Sequence, residues 1–380
     1  MERSQIPRIN DLPERTPGNG TFELTVRCNL HCKMCLFRHD DRENPEIVKR
    51  ELTARQWVQI ARQVAKAGTI NLLVTGGEPM IRSDFCEIWE GIYQQGFLIT
   101  LYTNATMLTP KIMETLRKYP PHKIGVTIYG ASPETYGKVC GNSEAFEKAV
   151  FGIKQLQDLP SVIEYRATII KDNCEDAEAI RMLVQKRLQR NAVVTYSDTI
   201  TKAVRGGCAD VENCRLDPET EQEMHLQYKL NLIREFVGDE FNERRIGIKK
   251  TGNKRVDKKR NSLLGCSAGM SSYTVAWDGK LLACQMLGVF YTDLLERDFL
   301  QAWKELPEKI LLPSENSQCT DCKVAEYCQS CYATRYAETG NLGGCCDYIY
   351  QNAYAISKIT NYYTRSFLYN SSIGNSEKEG

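Results

Sequence analysis

Six short apolar runs rich in branched residues punctuate the first half of the chain: Phe22–Val26, Ile70–Val74, Phe97–Tyr102, Ile124–Tyr129, Val162–Ile170 and Ala192–Tyr196. Runs of this length bounded by polar turns read as buried strands. The segments between them carry a helical period instead. In the clearest, Trp57, Ile60, Ala61 and Val64 share a face, Thr53 stands as N-cap and Gly68 as stop, which predicts a helix over 53–67. Phe146, Val150 and Ile153 predict another, beginning near Ser143. Strands alternating with helices at this spacing predict a parallel sheet with right-handed crossovers, six βα units over about residues 21–200. The natural closure of six units is an α/β fold of the open, partial (β/α)6 TIM-type barrel kind. Its site is then built by the loops at the C-terminal ends of the strands.

The second half reads differently. Asp217-Pro218 opens a helix expected over 216–247, with Met224, Leu226, Leu230, Ile233 and Phe236 as its apolar face. Residues 249–260 are strongly basic (Lys249, Lys250, Lys254, Arg255, Lys258, Lys259, Arg260), either a solvated loop or a patch that attracts an acidic peptide. From Cys266 the chain is loop-rich and cysteine-rich, with a hairpin signal at Trp277-Asp278-Gly279-Lys280. A last helix is expected over 351–368, and the polar end as a disordered tail. The expected division is an N-terminal arm (1–20), a barrel domain (21–215), a helical linker with the basic loop (216–265), a cysteine-rich domain (266–350) and a C-terminal helix and tail (351–380).

Composition narrows the class. A formal net charge of +1 argues against nucleic acid as main partner. No run of 18 apolar residues occurs, so no membrane span is expected, and the polar N-terminus lacks a signal peptide's apolar segment. The expected location is the cytoplasm. There the sixteen cysteines stay reduced and, where grouped, read as metal ligands rather than disulfides. Cys86, Cys140, Cys174, Cys208 and Cys214 are scattered and read as small buried hydrophobes.

The first group, Cys28-Asn-Leu-His-Cys32-Lys-Met-Cys35, directly follows the first predicted strand. Three thiolates on one loop can ligate three irons of a 4Fe–4S cluster and leave the fourth open. Zinc is the rival, but a structural zinc site wants a fourth ligand, and only His31 is at hand. One βα unit later, Leu73-Val-Thr-Gly76-Gly77-Glu78-Pro79 ends the second predicted strand. The C-x3-C-x2-C loop and the GGEP turn together resemble the signature of the radical S-adenosylmethionine (SAM) superfamily. The resemblance implies SAM chelated on the open iron and reductively cleaved to a 5′-deoxyadenosyl radical that abstracts hydrogen. It also implies SAM contacts from Gly76, Gly77, Glu78 and Pro79, the glycines letting the backbone approach the methionine group. Asn104, Thr127 and Arg166, at later strand ends, are implied as further contacts. No general base is identified by the sequence.

The second group runs Cys266-x12-Gly279-x4-Cys284, then Cys319-x2-Cys322-x5-Cys328-x2-Cys331, then Cys345 and Cys346. It resembles the SPASM extension of radical SAM enzymes that mature peptides and proteins, a small loop-rich iron–sulfur domain. The family has x3 where this chain has x2 between Cys328 and Cys331. The resemblance implies two auxiliary 4Fe–4S clusters. Cys319, Cys322, Cys328 and either Cys345 or Cys346 would hold one, and Cys266, Cys284 and Cys331 the other, its fourth ligand open. Paired C-x2-C units also suit zinc. The stretch Thr127-Ile-Tyr-Gly130-Ala-Ser132 looks like SPASM proteins that modify ribosomally made precursor peptides. The implied partners are a precursor peptide, an electron donor such as flavodoxin or ferredoxin, and a separate peptide-recognition protein. Sulfatase maturation, oxidation of a small alcohol and a non-enzymatic iron–sulfur scaffold are the alternatives.

Overall fold

The computed structural model describes residues 15–39, 45–197, 199–202, 205–206, 209–237, 263–264, 266–310, 319 and 321–360. The chain divides into two compact units. The first comprises Met1–Cys214 and Asn261–Leu311, the second Arg215–Arg260 and Leu312–Gly380.

The first unit is built on one nine-stranded sheet. Six strands appear where the apolar runs predict them: β1 (Asn19–Glu23), β2 (Asn71–Thr75), β3 (Leu98–Thr103), β4 (Lys123–Thr127), β5 (Val162–Thr168) and β6 (Val194–Ser197). Each pairs in parallel with the next. The ladder ends at β6, and no pairing among the described residues returns it to β1, so this barrel is open. The helix Ala54–Lys66 shows why local sequence suffices there. Thr53 and Gln56 form a reciprocal capping box, and Trp57, Ile60, Ala61 and Val64 are its buried face. The helix Ala145–Leu156 likewise buries Phe146, Val150 and Ile153.

β1 ends three residues before its apolar run does. Leu24 and Val26 are buried, but the chain there has left the regular ladder to enter the cysteine loop. Hydrophobicity marked burial, which here extends past the strand. A second difference concerns the region from 266 onwards. β7 (Ser272–Val275) pairs in parallel with the free edge of β1. β8 (Lys280–Leu282) and β9 (Tyr291–Asp293) follow antiparallel, through the expected turn at Gly279. Tyr273 and Val275 alternate inward, and Tyr273 packs on Phe299 of the helix Phe299–Lys309. Residues 272–309 therefore belong to the first unit, whereas the sequence places a domain start at 266.

In the second unit the expected helix is present as Pro218–Val237. Residues 347–360 are also helical, four residues ahead of the expected start. Buried Glu221 ties the two together by accepting from Tyr348 Oη (2.8 Å) and Asn352 Nδ2 (3.3 Å). Arg215 pairs with Glu338 at the end of the helix Tyr332–Thr339. The basic run 249–260, residues 238–247 of the helix expected over 216–247, the N-terminal 14 residues and the tail from 361 lie outside the described residues. Among the described residues no helix is long and apolar enough to cross a membrane.

Candidate active site

Past the ends of β1 and β2 the two chains stay joined. Gly77 N donates to Thr25 O (2.8 Å) and Glu78 N to Arg27 O (2.9 Å), so the GGEP turn lies along the segment that leads into Cys28. A Cβ on Gly76 would stand 2.4 Å from Thr25 O, and one on Gly77 2.2 Å from Arg27 O. Gly76 also has φ +140°, a conformation that L side chains rarely adopt. The close approach these glycines make is thus to the protein's own backbone beneath the cysteine loop.

Glu78 is fully buried and acts as a strut between strand ends. Its carboxylate accepts from Thr103 Oγ1 (3.0 Å), Asn104 N (2.8 Å) and Met80 N (3.2 Å). Burial pushes its carboxyl up to about 7, against the pull of the Asn104, Met80 and Thr103 donors. Because the folded value lies above the unfolded one, folding takes up a proton between them. The stability linked to this group is full below about pH 4 and is lost as pH rises through about 7. Glu78→Gln is therefore expected to remove that slope in urea unfolding series run from pH 4 to 8. An unchanged slope would show that the carboxyl titrates normally.

The three thiols gather on the loop. Each of Cys28, Cys32 and Cys35 acts electrostatically on its neighbours, and Cys32 is buried. Backbone and side-chain N–H groups point at the sulfurs: Leu30 N and Asn104 Nδ2 at Cys28 Sγ (3.4 and 3.8 Å), Arg38 N at Cys35 Sγ (3.3 Å). Burial first, then Glu78, pushes the Cys28 thiol up to about 12. The loop is anchored from outside. His31 N donates to Cys140 O (2.9 Å), Lys33 N to Val139 O (3.1 Å), and Lys33 Nζ pairs with Asp172 (3.0 Å).

Two residues beside Cys32 have no chemical role in the sequence reading, which takes Cys140 as a small buried hydrophobe and Tyr129 as the end of a strand. Cys140, at the end of the helix Pro133–Cys140, lies against Cys32, while its own thiol donates to Tyr136 O (3.1 Å). Cys140 first, then burial, then Cys35 push the Cys32 thiol well up. Tyr129 also reaches Cys32. Neither position has a local signal, because only the folded sheet brings the end of β4 and that helix to the loop. His31 is exposed against Gly141. Beside the loop, a cavity of about 260 Å³ is lined by Phe37, His39, Arg205, Trp277, Asp278 and Lys280 among others. Arg205 there pairs with buried Glu23 of β1.

Of the other expected contacts, Asn104 follows β3 and bridges to Asn29 Oδ1 (3.0 Å) in the loop. Thr127 ends β4 in register with Arg166 of β5, whose guanidinium lies over the Tyr102 ring, 4.3 Å from its centroid. Pro79 is buried at the start of a short 3-10 turn.

In the second unit, the guanidinium of Arg335 donates to Cys319 Sγ (3.1 Å) and Cys328 Sγ (3.9 Å), while Cys331 caps the helix Tyr332–Thr339. Cys266 and Cys284 belong to the first unit. Among the described residues no three His, Cys, Asp or Glu side chains converge on a point that could hold a single metal ion. A cluster of four irons holds its thiolates farther apart than one tetrahedral zinc does. The donor set of the N-terminal loop, three soft thiols with N–H groups aimed at them, fits a 4Fe–4S cluster with one open iron.

Comparison with known proteins agrees. Residues 22–183 match the radical SAM superfamily. The chain is 29% identical over 345 residues to the AdoMet-dependent heme synthase of Methanosarcina barkeri, covering 88% of this chain and 95% of that protein. It is 23% identical over 339 residues to the antilisterial bacteriocin subtilosin biosynthesis protein AlbA of Bacillus subtilis, covering 85% of this chain and 68% of that protein. Its fold is similar to the crystal structure of Streptococcus suis SuiB bound to precursor peptide SuiA (TM-score 0.63, 17% identity, 89% of this chain and 76% of that one). The three-thiol loop and the glycine turn it stands over both lie within residues 22–183, the segment that matches the radical SAM superfamily.

Proposed function

We propose that the chain modifies a ribosomally made precursor peptide oxidatively, forming a thioether or carbon–carbon cross-link. The observation that carries the reading is the pairing, in one chain, of the N-terminal three-thiol loop with a second thiol group gathered around Arg335. SuiB is seen bound to a precursor peptide and AlbA is named for the biosynthesis of a bacteriocin, which supports the substrate class. A SAM-ligated cluster held on the N-terminal loop would supply a radical able to take one hydrogen atom from the substrate, and an auxiliary cluster would accept the electron left behind as a proton leaves to water. The protein's part is to hold and shield. Cys28, Cys32 and Cys35 ligate, Gly76 and Gly77 seat the loop, Asn104 orients it, and the cavity beside Phe37 and His39 receives the substrate. Cys319, Cys322 and Cys328, with Cys345 or Cys346, hold an auxiliary cluster. A flavodoxin or ferredoxin supplies the reducing electron.

The identity to a heme synthase, which spans nearly that whole protein, favours a second reading: oxidation of a tetrapyrrole. One experiment separates them. The anaerobic protein is incubated with SAM, reductant and either the peptide encoded beside its gene or an iron porphyrin, and the products are weighed by mass spectrometry. Loss of two hydrogens from the peptide is expected. A mass change in the porphyrin alone, with the peptide intact, would sink the peptide reading.

A further inference from the structure

Arg335 is a buried cation, 8% exposed, on the helix Tyr332–Thr339. Burial of a guanidinium is costly unless opposite charge meets it. No carboxylate does so among the described residues. Its donors go instead to Cys319 Sγ (3.1 Å), Cys328 Sγ (3.9 Å) and Ser330 Oγ (3.2 Å), and Ser330 Oγ is itself 3.0 Å from Cys328 Sγ. Two thiols of the second group thus meet one buried cation, and both come from the run that joins Cys319 to Cys331.

A cation in this place has a use only if the sulfurs carry negative charge. Protonated thiols would leave the guanidinium uncompensated. Four thiolates on an iron–sulfur core carry net negative charge, and reduction deepens it by one electron. We infer that Arg335 is a positioning residue of the auxiliary cluster. It donates to the Cys319 and Cys328 sulfurs and raises the cluster's reduction potential. Hydrogen bonds to the sulfurs and nearby charge are the protein's main means of setting such potentials. The inference rests on the auxiliary-cluster reading above. It adds that the cluster is poised as an electron acceptor by a charge built into the same unit.

The test uses the full-length anaerobic protein. Iron and sulfide are counted for wild type and for Cys319→Ser, and spin signals are followed through a potentiometric titration. The signal that disappears in Cys319→Ser identifies the cluster. Arg335→Gln is expected to shift that signal's midpoint to more negative potential by a tenfold change in the reduction equilibrium, about 59 mV for one electron, and Arg335→Lys by less. A merely structural role for Arg335 would lower thermal stability without moving the midpoint. A full iron load with an unmoved midpoint in Arg335→Gln overturns the inference about Arg335. Full iron and every signal retained in Cys319→Ser would instead overturn the auxiliary-cluster reading itself.

Discussion

Cys32→Ala abolishes reductive SAM cleavage while the sheet stays folded. Cys32 is the most enclosed of the three loop thiols, held between Cys140 and the other two cysteines. Without it the loop offers two thiolates, too few to hold a cluster with one open iron. The loss should exceed the roughly 10- to 100-fold that follows from disturbing only the outer partners of a metal ligand. The fold has little at stake. The side chain is small, so its truncation should cost only about 1 kcal/mol. The loop's backbone anchors, His31 N to Cys140 O and Lys33 N to Val139 O, do not involve the thiol. The measurements are 5′-deoxyadenosine released under reductant and far-UV circular dichroism of the same sample. SAM cleavage at the wild-type rate would remove Cys32 from the ligand set.

The second large effect is expected from Gly77→Ala, and it falls on the protein before any cofactor binds. A methyl group at this position meets Arg27 O at 2.2 Å. The obstacle is backbone, which cannot swing aside as a side-chain tip can. The two segments must separate, at the expense of the hydrogen bonds from Gly77 N to Thr25 O and from Glu78 N to Arg27 O. Overpacking and two weakened hydrogen bonds together cost about 3 kcal/mol. That loss should appear in urea unfolding of the cluster-free protein, and iron uptake should fall with it. If the glycine served only to let SAM approach, the cluster-free protein would be as stable as wild type, and unchanged unfolding would decide for that role.

The strands β1 to β6 were legible because each is a short apolar run buried between layers, and the capped helix Ala54–Lys66 because its signals lie within one turn of its ends. The three-thiol loop was legible for the same reason, since its ligands are neighbours in the chain. β7 was not. Nothing in Ser272–Val275 says that its partner is β1, some 250 residues earlier, because a four-residue strand carries no address for the edge it joins. The reading of Cys140 as a small buried hydrophobe holds, since it is fully buried, but its place beside Cys32 was not legible.

By itself, the sequence determined the alternation of strands and helices, the loop that gathers three thiols, and the glycine turn that follows one unit later. These are local properties, fixed by period, spacing and the steric demands of single residues. Only the tertiary structure decided that Glu78 is a strut between strand ends, that Tyr129 and Cys140 flank Cys32, and that Arg335 finds thiols as its counter-charge. Those depend on which distant segments share one buried volume, where a charge or a donor must find its partner inside the protein because water cannot reach it.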